Sequence, residues 1–266
     1  MTVLDRIVTD VQAALNRRKR LVHLHELKAS IDYEKPVRDF QTALSVPGMA
    51  IIAEIKKRSP SKGLLRESFD VPALAKDYSQ AGANAISVLT EEDHFDGSLS
   101  YLDLAARHSQ LPILRKDFIV DPYQLYEARS YGAAAVLLIA AILDSSQIHD
   151  LLSLATELNL ACLVEIYDPI ELDKIDLNQV SILGVNNRNL HTFEVDIKHS
   201  LRVFELVDKN LVKVSESGLR SSKDLAYLHQ RGIDAVLIGE TFMCADQPGT
   251  TLRALREETD ALLNSA

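Results

Sequence analysis

The fold is decided by the stretch Ala50-Ile51-Ile52-Ala53-Glu54-Ile55-Lys56-Lys57-Arg58-Ser59-Pro60-Ser61-Lys62-Gly63. Its first half is a short apolar run rich in β-branched residues, which predicts a buried strand. Its second half is polar and contains Pro60 and Gly63, which predicts a turn. Because alternate residues of a strand share a face, Glu54 and Lys56 point to the same side as Ile52. An acid and a base therefore end one face of a strand that is apolar on its other face.

The same order of helix, glycine and apolar run recurs along the chain. Residues 81–89, 131–139 and 231–239 nearly repeat one another, each with a glycine ahead of an apolar run. A helix that ends at a left-handed glycine, followed by a fully buried strand, accounts for this pattern. Further strands are predicted at 112–116, 161–165, 182–186 and 212–216, and helices at 122–130, 145–158, 221–231 and 248–263.

Eight predicted strands, near residues 51, 86, 113, 136, 162, 183, 213 and 236, alternate with connections of helix length. This strict alternation predicts an α/β fold, a closed (β/α)8 TIM barrel. The alternative is an open doubly wound sheet, which usually has a glycine-rich phosphate turn after its first strand. Residues 57–60, Lys-Arg-Ser-Pro, do not have that composition, so the barrel is preferred.

Residues 1–48 precede the first good strand and are predicted to form a helical extension that packs on the barrel of residues 49–266. Leu4, Ile7 and Val11 have helical spacing in an amphipathic helix predicted over residues 3–28. The basic run at residues 17–20 is interpreted as a solvated face. A second short helix is predicted between Pro36 and Pro47.

The composition limits the classes of partner. The 266 residues carry a formal charge of −9, which argues against a nucleic-acid-binding surface. The same charge means that an anionic substrate needs a local basic pocket. No apolar run approaches the roughly 20 residues of a membrane span and no secretory signal is visible, so a cytoplasmic protein is predicted. Cys162 and Cys244 lie in or near apolar runs, which favours buried thiols in a reducing compartment.

Polar side chains collect at the carboxyl ends of the predicted strands, where barrel enzymes carry their chemistry. By strand alternation, one cavity could receive Glu54, Lys56, Lys116, Glu165, Asn186, Arg188 and Glu216. Any one of them could be a structural ion pair, but so many charged groups held by a barrel predict a functional site with acid–base chemistry. Gly218 and Gly239 offer backbone N–H groups where barrels often bind phosphate, although each could be an ordinary turn glycine. The scattered histidines do not indicate a metal site.

At these residues the sequence resembles the indole-3-glycerol-phosphate synthase family of phosphate-binding barrels. The resemblance runs through residues 52–61, 89–92, 114–118, 165–166, 184–188, 215–218 and 238–240, and covers essentially the whole chain. It implies a lyase of tryptophan biosynthesis that closes the pyrrole ring of 1-(2-carboxyphenylamino)-1-deoxyribulose 5-phosphate with loss of CO₂ and water. It also implies that the enzyme uses no metal or organic cofactor, and that it is a monomer with at most weak association with other enzymes of the pathway.

The resemblance also implies roles for individual residues. Lys116 resembles the general acid that protonates the substrate carbonyl, and Glu165 resembles the acid–base partner in dehydration. Lys56 resembles a group that grips the anionic substrate and shares the acid role. The remaining positions are orienting groups (Glu54, Asn186), substrate-binding groups (Arg188, Glu216, Ser59), an aromatic wall for the anthranilate ring (Phe95) and the phosphate end (Ser217, Gly218, Gly239, Glu240).

Two points stay open in the sequence. Ile7 stands about where some family members carry an aromatic residue, so the contact between the extension and the substrate ring is expected to differ here. Neighbouring cations would lower the pKa of Lys116 from about 10.4, and neighbouring glutamates would oppose that change. The sequence does not decide between these two effects.

Two other functions compete with this interpretation. An isomerase of a phosphorylated sugar, the preceding step of the pathway, is expected to use a cysteine–aspartate pair, and no predicted strand end offers a cysteine. A degenerate barrel that serves only as a binding protein would be expected to lose its polar strand ends, and none of them is missing here. Both alternatives are therefore less favoured than the synthase.

Overall fold

The centre of the computed structural model, which describes residues 2–32, 36–189, 192 and 194–265, is a closed barrel of parallel strands. The strands are β1 (Ala50–Ile55), β2 (Ala85–Leu89), β3 (Ile113–Lys116), β4 (Ala135–Ile139), β5 (Ala161–Ile166), β6 (Ile182–Asn186), β7 (Val212–Glu216) and β8 (Ala235–Ile238). Each strand pairs with its neighbours in the chain, and β1 closes the ring by pairing with β8. The predicted (β/α)8 barrel is confirmed.

Strand alternation divides the apolar residues into two layers. Inside the barrel, Ile52 belongs to one cluster with Leu114 and Leu163. Outside the barrel, Ile51 and Ile55 belong to a second cluster with the surrounding helices. Because the inner face of β1 continues through residue 54, the side chain of Glu54 follows Ile52 into the interior.

Helices surround the barrel between most strands. From β1 onward they are α4 (Val71–Ala81), α5 (Leu99–His108), α6 (Tyr123–Ser130), α7 (Ser145–Glu157), α8 (His199–Phe204), α9 (Ser222–His229), α10 (Glu240–Met243) and α11 (Pro248–Asn264). A short 3₁₀ helix, Pro169–Lys174, connects β5 to β6. Gly82, Gly132 and Gly232 have φ values of 93, 83 and 86 degrees where helices end, as the repeated pattern predicts.

Among the described residues, three helices precede the barrel: α1 (Val3–Leu21), α2 (Leu24–Ser30) and α3 (Phe40–Leu44). The prediction of a single helix over residues 3–28 is wrong, because the chain leaves the helical conformation at Val22 and His23. The carboxylate of Glu26 accepts the N–H of His23 at 2.6 Å, which starts the second helix. Residues 33–35 of the predicted extension lie outside the described residues.

Helix α1 is attached to the barrel by apolar and ionic contacts. Ile7, Val11 and Leu15 are buried. The guanidinium of Arg18 donates to Glu127 at 2.7 and 3.2 Å, and the ammonium of Lys19 donates to Asp121 at 2.7 Å. The interpretation of residues 17–20 as a solvated face is therefore wrong for Arg18 and Lys19, which hold the helix in place.

Two further observations bear on the sequence-based interpretation. Cys162 is half-buried and Cys244 is exposed, so the prediction of buried thiols is wrong for Cys244. Within the described ranges, no helix combines the length and the apolar character that crossing a membrane requires.

Candidate active site

One cavity opens at the carboxyl ends of the strands, and all of the predicted site residues line it. They are Glu54, Lys56, Ser59, Phe95, Lys116, Glu165, Asn186, Arg188, Glu216, Ser217, Gly218, Gly239 and Glu240. They come from seven different strands or the loops that follow them, because parallel strands direct all their carboxyl ends to one side of a barrel. The first helix also reaches this cavity through Val3, Leu4 and Ile7.

Two lysines and three glutamates form the base of the cavity. The ammonium nitrogen of Lys116 lies 3.1 Å from Glu165 Oε2 and 3.5 Å from Glu216 Oε2. The ammonium nitrogen of Lys56 lies 2.5 Å from Glu54 Oε1. The three carboxylates are almost fully buried, with side-chain exposures of 2 to 5%, namely 4% for Glu165, 2% for Glu216 and 5% for Glu54. We call these five residues the base cluster.

Two glycines make room for the carboxylates of the base cluster. A Cβ atom placed on Gly184 would collide with the carboxylate of Glu216, and one placed on Gly239 would collide with that of Glu54. Gly239 has a φ of −120 degrees, which does not require glycine. The sequence assigns Gly239 only to the phosphate end, but space for Glu54 is a second reason for a glycine at this position.

The glutamates decide the ionisation of Lys116. Burial by itself lowers the pKa of this ammonium, but the negative charge that Glu165, Glu216 and Glu54 carry between them outweighs burial and raises the pKa above its ordinary value. This result answers the question that the sequence leaves open. Burial, together with the nearby Glu165, raises the pKa of Glu216 well above its ordinary value, which favours the neutral form of this carboxyl group.

The loop after β6 organises the next part of the cavity. Asn186 lies close to Glu165, with 3.4 Å between Nδ2 and Oε1, and its side-chain oxygen accepts the N–H of Arg188 at 3.0 Å. The neighbouring Asn187 donates to the backbone oxygen of Ser217 at 3.3 Å. Ser217 and Gly218 have φ values of 71 and 80 degrees, which is an uncommon conformation for a serine. The turn after β7 is therefore held by the loop after β6.

At the rim of the cavity, one carboxylate is surrounded by three cations. Glu240 Oε1 lies 2.7 Å from the ammonium of Lys62 and 3.3 Å from Arg220, while Glu240 Oε2 lies 3.7 Å from Arg188. Burial by itself would raise the pKa of Glu240, but Lys62, Arg188 and Arg220 outweigh burial and lower it. We call these four residues the rim cluster, and it has a surplus of positive charge.

An apolar wall occupies another side of the cavity. The rings of Phe95 and Phe118 have centroids 6.0 Å apart and are inclined by 40 degrees. The carboxylate of Glu91 accepts the backbone N–H groups of Asp93, His94 and Phe95, at 2.8 to 3.1 Å in the order 3.1, 2.8 and 3.1 Å, and so shapes the loop that carries Phe95. Ser59 is buried in the loop after β1.

Two cavity-lining residues, Phe118 and Arg220, and the neighbouring Lys62 were not among the predicted site residues. Phe118 and Arg220 line the cavity, and Lys62 reaches it through Glu240. Phe118 and Arg220 follow the predicted strand-end residues Lys116 and Gly218 by two positions, so the sequence places them close to the site. Lys62 lies in the turn after β1, whose course the sequence does not specify.

Behind Lys116, a second network of charges fixes the end of β3. Arg115 is fully buried on the outer side of the strand and donates to Asp117 at 2.8 Å and to Glu127 at 3.2 Å. Burial opposes ionisation of Asp117, but Arg115 and a hydrogen bond from Thr90 outweigh it and lower the pKa of Asp117. Across the ranges that the structure describes, no group of three or more histidine, cysteine or acidic residues is placed to hold a metal ion.

Comparison with known proteins identifies the family of this barrel. A model of the family described as indole-3-glycerol phosphate synthase matches residues 4–255. The chain belongs to the indole-3-glycerol phosphate synthase family. A protein of that name from Salinibacter ruber is 49% identical over 260 residues, which cover 97% of this chain and 96% of the relative. One from Rhodopirellula baltica is 43% identical over 266 residues and the full length of both chains.

Solved structures outside this family have the same barrel. The 3-hexulose-6-phosphate synthase from Salmonella typhimurium is 14% identical with a TM-score of 0.63, and the match covers 82% of this chain and 99% of that one. Thiamine phosphate pyrophosphorylase from Pyrococcus furiosus is 13% identical with a TM-score of 0.59, over 81% and 97% of the two chains. At this identity the likeness concerns the fold, whereas family membership rests on the synthases.

Proposed function

We propose that this chain is an indole-3-glycerol phosphate synthase, a carboxy-lyase of tryptophan biosynthesis. Its substrate is 1-(2-carboxyphenylamino)-1-deoxyribulose 5-phosphate, and its products are indole-3-glycerol phosphate, CO₂ and water. Family membership supports this activity. The observation that carries the mechanism is the 3.1 Å contact between Lys116 and Glu165 at the base of a cavity with a cationic rim.

Lys116 is the proposed general acid for ring closure. The ring carbon of the anthranilate group is a weak nucleophile, so its attack on the ketone requires a proton at the developing alkoxide. The raised pKa keeps Lys116 protonated before the reaction. As the alkoxide forms, it becomes more basic than the neutral amine of Lys116, so the ammonium of Lys116 delivers its proton to the alkoxide. Loss of CO₂ from the ring carbon that carried the carboxylate then leaves an electron-rich ring system that can expel hydroxide.

Glu165 is the proposed acid–base group for dehydration. Its Oε2 lies 3.1 Å from the ammonium nitrogen of Lys116, so the two groups are close enough to act on adjacent atoms of one substrate. Lys56 and Glu54 form a second acid–base pair beside them, and Lys56 can share the protonation of the leaving hydroxyl group. The amide of Asn186 orients the carboxylate of Glu165.

The other site residues bind the substrate in this proposal. Phe95 and Phe118 enclose the anthranilate ring, while Ser59 and Arg188 bind its carboxylate side. Within the described residues, Glu216 Oε1 has no hydrogen-bond partner, so the neutral carboxyl of Glu216 can bind a ribulose hydroxyl. The backbone of Ser217, Gly218, Gly239 and Glu240 receives the phosphate.

The first 48 residues act in this proposal as an extension that covers the mouth of the barrel of residues 49–266. Val3, Leu4 and Ile7 contribute apolar surface to the cavity, which supports this role. The aliphatic side chain of Ile7 replaces ring stacking with van der Waals contact at this point. A monomeric state, weak association with other enzymes of the pathway and a cytoplasmic location stay predictions.

Incubation with the ribulose substrate tests the activity. The product has an indole ring and the chain contains no tryptophan, so product fluorescence is expected to rise over a low protein background. Release of CO₂ at the same rate as the fluorescence increase would exclude a slow side reaction of the substrate. Absence of both signals with a folded protein would contradict the proposed function.

A further inference from the structure

The rim cluster joins three loops through one side chain. Lys62 lies in the loop after β1, Arg188 in the loop after β6 and Arg220 in the loop after β7. All three cations converge on the carboxylate of Glu240 after β8, at 2.7 Å for Lys62, 3.3 Å for Arg220 and 3.7 Å for Arg188. Glu240 therefore brings together cations that would otherwise repel one another.

The loop after β1 is built to hold Lys62 at this place. Residues Arg58–Ser59 and Gly63–Leu64 pair as a short antiparallel hairpin, and Lys62 lies in its turn. The foot of the loop is anchored by Arg66, which donates to the backbone oxygens of Ala245 at 2.8 Å and Asp246 at 3.3 Å. The position of the ammonium above the mouth thus depends on the hairpin and its anchor.

Two of the three cations that contact Glu240, Lys62 and Arg220, are exposed, and their contacts are therefore exchangeable. The side chain of Lys62 is 46% exposed and that of Arg220 is 67% exposed, compared with 16% for Lys116 in the base cluster. Ion pairs at this exposure contribute little to stability, because water solvates the separated charges nearly as well. A ligand with a greater negative charge than Glu240 can therefore bind Lys62 and Arg220 in its place, with little loss of folding stability.

A phosphate monoester has the charge and the number of acceptors that the rim cluster needs. Three cations against one carboxylate leave a positive surplus, although the whole chain has a formal charge of −9. The left-handed turn at Ser217 and Gly218 lines the same cavity directly before Arg220. Phosphate oxygens received by this turn lie within the reach of the long side chain of Arg220.

We propose that Lys62 and Arg220 are phosphate-recognising side chains and that the substrate's phosphate replaces the Glu240 carboxylate as their partner. The Glu240 side chain is a place-holder that keeps the cations assembled and competes with the phosphate for them. This inference rests on the proposed function for the identity of the phosphorylated substrate. According to this inference, Lys62 and Arg220 raise the affinity for phosphate, whereas the carboxylate of Glu240 lowers it.

The test measures the dissociation constant of inorganic phosphate by calorimetry at low ionic strength, with the full chain and four variants. Lys62→Met and Arg220→Met are each expected to weaken binding by about tenfold, because each removes a charge-assisted hydrogen bond. Glu240→Gln keeps the shape and an acceptor but removes the competing charge, so it is expected to tighten binding several-fold. The matched control is Lys223→Met, which removes one exposed positive charge of α9 outside the rim cluster.

Each result decides the inference. If Lys223→Met weakened phosphate binding as much as Lys62→Met does, the effect would come from the overall charge of the protein, and the proposal would be overturned. Unchanged or weaker binding with Glu240→Gln would overturn the exchange of partners. The assay needs no turnover, so a chain that binds phosphate in this pattern without making an indole product would contradict the proposed function alone. If the synthase is active and the KM of the ribulose substrate does not rise in Lys62→Met and Arg220→Met, the inference alone is wrong.

Discussion

The base cluster and the rim cluster lie in one cavity but differ in burial and in charge. In the base cluster, three carboxylates with exposures of 5% or less surround two ammonium groups. In the rim cluster, three cations surround one carboxylate, and Lys62 and Arg220 extend into solvent. The acids are thus in excess where water is excluded, and the cations are in excess where water enters.

The difference indicates a division of work between the two clusters. Charges that are buried and paired keep a fixed geometry, and their proton affinities are shifted strongly by their neighbours. Such groups suit proton transfer, for which the acid must be in place before the reaction starts. Exposed cations attract an anion from a distance. Changes at the base cluster should therefore alter turnover, whereas changes at the rim cluster should alter binding.

The largest expected effect is that of Lys116→Met, which removes the proposed acid. Loss of a proton-transfer group typically costs 10² to 10⁴ in rate, so kcat is expected to fall by about that factor. Methionine has a similar length and needs no carboxylate partner, and far-ultraviolet circular dichroism is expected to show an intact barrel. Steady-state fluorescence assays measure kcat, with Lys223→Met as the control for loss of a positive charge. Near-normal kcat would place the acid elsewhere.

The second effect, of similar or smaller size, is that of Glu165→Gln. Dehydration should slow down while ring closure continues, because Lys116 remains in place. Rapid mixing followed by acid quench and mass spectrometry should detect a ring-closed intermediate in Glu165→Gln but not in Lys116→Met. Accumulation of the same species in both variants would show that the two residues do not act in successive steps.

Glu216→Gln should have a smaller effect on turnover and a diagnostic effect on stability. Because burial and Glu165 raise the pKa of Glu216 and so favour its neutral form, we expect the amide to replace a neutral carboxyl and kcat to fall by about tenfold at most. The unfolded chain releases this proton near the ordinary carboxyl pKa of about 4.3. Unfolding free energy of the parent should therefore decrease as pH rises above that value, until Glu216 ionises in the folded state.

The stability measurement compares denaturant unfolding of the parent and Glu216→Gln at pH 5 and pH 7. The contribution of Glu216 is at most about 1.4 kcal/mol for each pH unit, and it should be missing from the variant. A variant with the same decrease in unfolding free energy between the two pH values as the parent would mean that Glu216 is ionised in the folded protein. It would also remove the reason for the small change in kcat.

The smallest expected effect is that of potassium chloride on the rim cluster. The Debye length falls from about 10 Å at 0.1 M to about 3 Å at 1 M salt, so exposed cations lose most of their attraction for an anion. KM for the ribulose substrate should rise about twofold to fivefold between these concentrations. The value of kcat should change less, because the pairs of the base cluster are screened weakly. An equal change in kcat and KM would remove the distinction between the two clusters.

Much of this arrangement follows from periodicity along the chain. Alternation along β1 fixes Ile52, Glu54 and Lys56 on one face, and the barrel then turns that face inward. The left-handed glycines at the helix ends, such as Gly82, are local features and can also be predicted from the sequence. Local patterns predict these features correctly because the side chains of strands and helices repeat with fixed periods along the chain.

Features that depend on contacts between distant residues were not predictable. The partner of Arg18, for example, is Glu127, 109 residues away in the chain. The same limit applies to the pKa of Lys116, which is raised by glutamates from three other strands. A hydropathy pattern also does not reveal that Gly184 must leave room for Glu216.

The network behind β3 has a consequence for how this barrel can change. Arg115 and Asp117, on either side of Lys116 in the chain, bind each other, and Glu127 connects them to α1 through Arg18. The backbone of position 116 is thus held from outside the barrel, whereas its side chain extends inward. A different side chain at this position would therefore have the same backbone position, because the contacts that hold the backbone do not involve the side chain of residue 116. In a search for new chemistry, residue 116 is therefore a position to randomise, with residues 115 and 117 left unchanged.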